Sequence, residues 1–217
     1  MKQIVPHTRL WNLVRQLRQC ESGTTLVELG LLIPLYLLIF LGLIDFGRMA
    51  FHYVSMEKGM QVAARVATVR PPACSGVPTT NDRGTSTVVP AASYGTKCSA
   101  GAGICANPGT ISCAGSTTNA TANEIWTIVQ GTFPNSATAA NLRFIYTYDN
   151  NLGFLGGPYV PTVTMEVQNL DFEFVNPLGV LVGLATSSAA TGLGADIPFP
   201  ALSVTLPGED LAMGEDG

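Results

Sequence analysis

Residues 22–48 read SGTTLVELGLLIPLYLLIFLGLIDFGR, and this stretch decides the fold. Residues 29–44 contain no charged side chain and are bounded by Glu28 and Asp45. These 16 residues fall short of the roughly 20 that a helix needs to cross a bilayer. Residues 24–44 supply 21, so the sequence predicts one membrane-spanning helix with a carboxylate near its N-terminal end. A charge buried in such a helix is costly, which makes Glu28 a candidate functional residue.

The residues before this helix indicate its orientation. Residues 1–23 contain Lys2, Arg9, Arg15 and Arg18 against one acidic residue, Glu21. By the positive-inside rule we expect this end in the cytoplasm and the rest of the chain exported. A secretory signal peptide would place small residues of the A-x-A type after the apolar run. The run is followed by DFGRMAF instead, which favours a signal anchor.

The composition excludes several classes of protein. Of the 217 residues, 47% are hydrophobic and only 12% are charged, which excludes disorder driven by high charge and a coiled-coil rod. With 23 glycines and 14 prolines, the chain is not a helical membrane bundle. The net charge of −4 and the pI of about 5.1 argue against a protein that binds nucleic acid.

The helix is predicted to continue beyond the membrane. After Asp45, apolar residues recur at steps of three and four, the period of one helix face. They are Phe46, Met49, Tyr53, Met56, Met60, Ala63 and Ala67. The first stop signal is Pro71-Pro72, so we expect one helix over residues 24–69, about 69 Å long. Its first half would lie in lipid, and its second half would pack against an exported domain.

The junction between the basic leader and the apolar run resembles the processing site of type IV pilin precursors. Gly23 ends the leader, and Glu28 is the fifth residue after it. Only a residue without a side chain lets a protease approach the backbone closely. The resemblance implies cleavage by a prepilin peptidase between Gly23 and Thr24. The new amine of Thr24 would pair with Glu28 when subunits pack, which offsets the cost of burying that carboxylate.

Further residues make the junction and its helix similar to TadE-like proteins, the minor pseudopilins of tight-adherence (Flp-type) pilus systems. The similarity covers residues 22–70 and, besides Gly23 and Glu28, is carried by Pro34, Gly42, Asp45, Phe46, Gly47, Arg48, Ala63, Ala64 and Arg65. It implies a subunit that helps initiate or cap a pilus, with Glu28 and Pro34 acting in assembly. The implied partners are the peptidase, other pilin and pseudopilin subunits, the inner-membrane assembly platform and membrane lipid.

Pro34 also has a physical consequence. A proline inside a helix removes one backbone hydrogen bond and crowds the carbonyl four residues back, here that of Gly30. We expect a kink near Gly30, where a subunit drawn from the bilayer into a fibre would bend. A proline that is merely tolerated in a membrane helix is the alternative.

Four of the five cysteines lie in one exported segment. They are Cys74, Cys98, Cys105 and Cys113, whereas Cys20 belongs to the leader. In an oxidising periplasm four cysteines predict two disulfides with three possible connectivities. We favour Cys74–Cys98 with Cys105–Cys113, because short loops close most readily. The spacing lacks the C-x₂₋₄-C pairs of structural zinc sites, so no metal site is predicted.

The exported chain is predicted to fold as an α+β head, in which the long helix packs on an antiparallel sheet in the lollipop shape of a pilin. Residues 73–123 are polar and read as an irregular insertion. A short helix follows, capped by Thr121 or Asn123 and ending before Gly131. Strands are predicted over residues 142–148, 160–175 with a break at Asn169-Leu170, and 201–206, with an apolar helix or turn over 178–184.

The predicted organisation therefore has five parts. A cytoplasmic leader (1–23) precedes a transmembrane helix (24–45) and its amphipathic continuation (46–70). A polar, cysteine-containing insertion (71–123) and a periplasmic head (124–217) follow. We expect a single-pass protein of the bacterial inner membrane with a cytoplasmic N-terminus, which can enter an extracellular pilus.

Catalytic chemistry has little support in this sequence. The P-loop, H-E-x-x-H and G-x-S-x-G motifs are absent. His52 fits a helix face better than a catalytic base, and Asp171 and Glu173 are expected on one face of one strand. The sequence thus favours a minor pseudopilin without enzymatic activity or cofactor. The alternatives are an unprocessed, anchored scaffold protein of a pilus or secretion machine, and a tethered enzyme or binding module that uses the cysteine-rich loop.

Overall fold

The computed structural model describes residues 24–174, 196–209 and 211. These residues belong to two compact units: one holds residues up to Arg48 together with 173–196, and the other holds Met49–Phe172 and the residues from Ile197 onward. One helix, α1 (Thr24–Val69), supplies residues to both units. The leader with Cys20 and Gly23, the end of the strand predicted over 160–175, and the apolar helix or turn predicted over 178–184 lie outside the described residues.

The second unit, called the head below, contains the remaining elements that the structure describes. In chain order these are β1 (Thr110–Ala114), α2 (Ala120–Val129), β2 (Leu142–Thr147), β3 (Thr162–Val167), β4 (Asp171–Phe172), β5 (Ile197–Pro198) and β6 (Ser203–Pro207). Short 3₁₀ turns lie at Cys98–Ala100, Gln130–Thr132 and Ala139–Asn141. A long apolar N-terminal helix and an antiparallel sheet domain confirm the predicted α+β class.

An antiparallel sheet of four strands forms the centre of the head, in the order β1-β2-β3-β6. Alternate residues of β2 and β3 point into the core, since successive side chains of a strand face opposite sides. Phe144 of β2 lies opposite Met165 of β3, and Tyr146 lies opposite Val163. All four side chains are buried. This alternation agrees with the pattern read from the sequence.

The break predicted at Asn169-Leu170 is confirmed. Strand β3 ends at Val167, and Asn169 has a φ of 49°, a left-handed conformation that an asparagine tolerates better than most residues. The chain then enters β4, which pairs with β5 in a separate two-stranded sheet. Because β4 ends at Phe172, the expectation that Asp171 and Glu173 share one face of one strand is wrong.

The head half of α1 packs onto the sheet and α2 through small and flexible apolar side chains. Met56, Met60, Ala63 and Ala67 are fully buried, which confirms the three- and four-residue period for this part of the helix. They share one core with buried residues of α2 and of the sheet, among them Ile125, Val129, Leu142, Phe144 and Met165.

Helix α2 begins two to four residues earlier than the capping prediction required. Asn119 is its N-cap: the side-chain oxygen accepts a hydrogen bond from the Ala122 N–H at 2.9 Å. The proposed caps Thr121 and Asn123 are therefore wrong. The Thr121 hydroxyl instead donates to the Pro71 carbonyl at 2.8 Å, which ties the start of α2 to the end of α1.

The segment between α1 and α2 contains more structure than its composition suggests. Its last part forms β1, an edge strand of the main sheet that the sequence analysis did not predict. Earlier residues are held by backbone bridges, such as that between Arg83 and Cys105. A second small core is formed by Cys98, Ile104 and Cys105 of this segment together with Leu155, which lies in the loop between β2 and β3.

Candidate assembly site

Residues 25–44 of α1 are uncharged apart from Glu28, and none of them is buried. Leu26 and Leu31 are each 73% exposed and Leu43 is 72% exposed. The most apolar 18-residue window of the helix has a mean hydropathy of 2.4, and none of it is buried. A helix that is apolar all round is stable only where lipid or protein covers it. Among the described residues, α1 is the one helix long and apolar enough to cross a membrane.

Glu28 is the single charged side chain in this surface. It is exposed and lies four residues after Thr24, the first residue of α1. Residues four apart lie on the same face of a helix, about 6 Å apart along its axis. An α-amine at Thr24 would therefore lie within one turn of the Glu28 carboxylate. Gly23, the other residue of the expected cleavage site, lies outside the described residues.

Helix α1 continues through Pro34 without interruption of its helical assignment. The next described glycine upstream, Gly30, faces open space: a Cβ there would have no neighbour within 4 Å. The carbonyl of Gly30 is the one that loses its helical partner to Pro34. The kink expected near Gly30 remains a prediction.

The Asp-Phe-Gly-Arg exit forms a compact arrangement in the first unit. Asp45 is fully buried, and one of its carboxylate oxygens is 2.9 Å from Nη1 of Arg48, one turn later. A buried carboxylate needs such a partner, because an unpaired one would retain the full cost of desolvation. The ring of Phe46 packs edge-on against that of Phe174 at 5.8 Å. Gly42 and Gly47 face open space.

Residues 23–65 match the family model of the TadE-like protein. This confirms, for this segment, the resemblance to TadE-like proteins that the sequence indicated. The TadE-like segment starts at the expected cleavage glycine and ends on the head half of α1. It does not include the sheet. No curated protein and no solved structure matches the chain.

Beyond the TadE-like segment, two disulfides are present, but their pairing differs from the one favoured from loop length. Cys74 is bonded to Cys113, and Cys98 to Cys105. The Cys74–Cys98 and Cys105–Cys113 pairing is wrong because Cys113 lies on β1, in the sheet, whereas Cys98 and Cys105 belong to the second core. Tertiary structure thus overrides the preference for short loops.

The first disulfide lies where the chain leaves α1. Next to Cys74, the Ala73 N–H donates to the Tyr146 hydroxyl at 3.0 Å. Burial raises the pKa of Tyr146, and the hydrogen bond from Ala73 opposes this effect in part. The disulfide, this hydrogen bond and the Thr121–Pro71 hydrogen bond fix the end of α1 to β1, β2 and α2. The helix is therefore firmly held at its head end.

The second disulfide borders an open groove of about 700 Å³. Polar side chains on its walls include Arg83, Asn107, Tyr148 and Asp149. One carboxylate oxygen of Asp149 accepts two hydrogen bonds from Asn151, both at 2.9 Å. The described residues contain no group of three or more metal-ligating side chains.

His52, which the sequence analysis considered as a catalytic base, is half-buried on α1, and its ring packs edge-on against that of Phe51 at 5.9 Å.

The outward face of the head half of α1 is a feature that the sequence analysis missed. Phe51, Val54, Val62 and Val69 are exposed, although a helix that packs on a sheet ordinarily presents polar residues to water. The signal was in the sequence: these residues recur at helical spacing on the side opposite Met56, Met60 and Ala67.

Proposed function

We propose that this protein is a minor pseudopilin, a non-enzymatic subunit that helps initiate or cap a tight-adherence pilus after its leader is removed. One observation carries the proposal: residues 25–44 form a helical segment that is apolar apart from Glu28, has no buried residue, and is continuous with the head half of α1. A soluble protein would not leave such a surface uncovered. The TadE-like match over residues 23–65 supports the same function.

Glu28 has a definite role in this proposal. Cleavage after Gly23 frees an amine on Thr24, and the carboxylate of Glu28 is the acidic group available in the apolar surface to pair with such amines. In a medium of low dielectric constant, an unpaired carboxylate is expensive and a paired one much less so. The pair between neighbouring subunits would thus favour docking in the correct axial register.

The proposal also assigns an orientation and a set of partners. The basic leader stays in the cytoplasm, where a prepilin peptidase cuts it, and the head lies in the periplasm. The apolar half of α1 rests in the inner membrane until the assembly platform transfers the subunit to the pilus. Two disulfides suit this oxidising compartment.

Intact-mass analysis of the membrane-extracted protein tests the proposal. In cells with the peptidase, we expect a chain that begins at Thr24. In cells without it, and in Gly23→Leu, whose side chain blocks approach to the scissile bond, we expect the full-length chain. Full-length protein in the presence of an active peptidase would contradict the proposal and support the unprocessed, anchored scaffold protein.

We predict that Glu28→Ala leaves cleavage largely intact but lowers incorporation into pili by about tenfold, because the amine of the neighbouring subunit loses its partner. The measurement is the amount of protein in sheared pili relative to the amount in membranes. Glu57→Ala, which removes a carboxylate from the head half of the same helix, is the matched control and should incorporate normally. Normal incorporation of Glu28→Ala would refute the role given to Glu28.

A further inference from the structure

We propose that the outward face of the head half of α1 binds the helix of another pilus subunit that carries carboxylates at matching positions. This inference rests on the proposed function and adds the chemistry of the partner. The face is named the outer stripe and consists of Phe51, Val54, Lys58, Val62, Arg65 and Val69. All six side chains belong to the head unit.

The apolar residues of the outer stripe are more exposed than is usual for a helix that packs only against its own head. Phe51 is 69% exposed, Val54 54%, Val62 44% and Val69 39%. They lie opposite the fully buried Met56, Met60 and Ala67, so the helix is apolar on two sides. A helix of this kind is stable when both sides are covered, and the described residues of the head bury only one of them.

The charges in the outer stripe specify what covers it. Lys58 and Arg65 are both exposed, and neither forms an ion pair with any residue that the structure describes. They are seven residues apart, about 10.5 Å along the helix. In a packed interface, two such cations would be costly without counter-charges. The partner helix therefore presents an apolar face with carboxylates about two turns apart.

A helix fits this face better than a strand or a loop. The stripe is about 27 Å long, and the backbone N–H and C=O groups of its residues up to Arg65 are used within α1. Side chains from a second helix can enter the spaces between Phe51, Val54 and Val62 as ridges enter grooves. The two cations of the stripe, Lys58 and Arg65, then fix the axial register, as charges do in paired helices.

Charge reversal is the first test. Lys58→Glu should reduce incorporation into sheared pili by about tenfold, since like charges would then face each other across the interface. Lys97→Glu makes the same change at an exposed lysine of the loop region and should incorporate normally. Thermal unfolding of both variants verifies that the head is intact. Unchanged incorporation of Lys58→Glu would overturn the inference.

Crosslinking identifies the partner and supplies the second test. A photoreactive amino acid at Val62 should crosslink to an apolar helical segment of a pilus subunit that contains an acidic residue. The same amino acid at Ile128, which is 49% exposed on α2, should not crosslink to that segment. Changing the identified acidic residue to lysine should restore incorporation of Lys58→Glu. Crosslinks from Val62 to lipid alone, or to a segment without carboxylates, would overturn the inference.

The two proposals fail in different ways. If the leader is retained in the presence of the peptidase, the pseudopilin function is wrong. If the leader is removed and the protein enters pili, but the Lys58→Glu variant enters equally well, only the outer stripe lacks the partner proposed here.

Discussion

The two halves of α1 are equally helical, but they are stabilised by different surroundings. Residues 25–44 bury none of their apolar window, whereas Met56, Met60, Ala63 and Ala67 in the head half are fully buried. Both halves are rich in exposed apolar residues, and the head half adds two exposed cations, Lys58 and Arg65. The difference is that the head half has a sheet and a second helix to pack against.

This comparison separates two kinds of mutational effect. Changes on the inward side of the head half act on the free energy of folding, because they alter a core. Changes in residues 25–44 act on membrane insertion and assembly, because none of these residues is buried in a core. The stability of the head should therefore be insensitive to the first half of the helix.

The largest effect is expected from a charge placed in the buried half. Met60→Asp should lower the free energy of unfolding of the head by at least about 4 kcal/mol, since it buries an unpaired carboxylate and removes a packed side chain. Leu31→Asp should leave the thermal unfolding of the head unchanged but reduce the fraction of protein found in membranes. A fall in head stability with Leu31→Asp would break the comparison.

The disulfides should contribute unequally to the stability of the head. Cys74 and Cys113 are 39 residues apart and Cys98 and Cys105 only 7, and the loss of unfolded-state entropy grows with loop length. Replacing both members of the first pair by alanine should cost about 4 kcal/mol, against about 2 kcal/mol for the second pair. Denaturant unfolding measures both. Equal costs, or a larger cost for the second pair, would contradict this ranking.

Sequence patterns predicted the elements of the fold better than their connections. The helical period of Met56, Met60 and Ala67 and the alternation around Phe144 were recognisable because each depends on local geometry alone. The break at Asn169 was recognisable because the alternation changes parity there. These features are encoded by neighbours in sequence.

Features that depend on distant residues could not be predicted in the same way. The partner of Cys74 follows from the position of β1, a five-residue edge strand in a polar segment, whose pairing with β2 no local pattern indicates. The cap of α2 was misplaced because Asn119, Thr121 and Asn123 are all acceptable capping residues. The outer stripe is recognisable as a second helical period, but which of the two periods faces the sheet depends on distant residues.

A smaller effect should come from Tyr159, a buried tyrosine of the head. Its side chain is buried, and its hydroxyl has no hydrogen-bond partner among the described residues. Replacing a buried, unsatisfied hydroxyl by hydrogen is favourable, so Tyr159→Phe should raise the free energy of unfolding by about 1 kcal/mol at neutral pH. Tyr94→Phe, at an exposed tyrosine of the same head, should have no effect.

The same variant should alter the response to alkaline pH. Burial, with a smaller contribution from the charge of Tyr148, raises the pKa of Tyr159 from 10.0 to about 12. The unfolded chain therefore loses this proton first, so the stability that the neutral phenol preserves is complete below pH 10 and is lost as the pH rises through 12. The wild-type melting temperature should fall across this interval more steeply than that of Tyr159→Phe, which lacks this ionisation. Equal slopes would show that Tyr159 ionises as readily in the folded head as in the unfolded chain, and its environment would then be more open to water than its burial indicates.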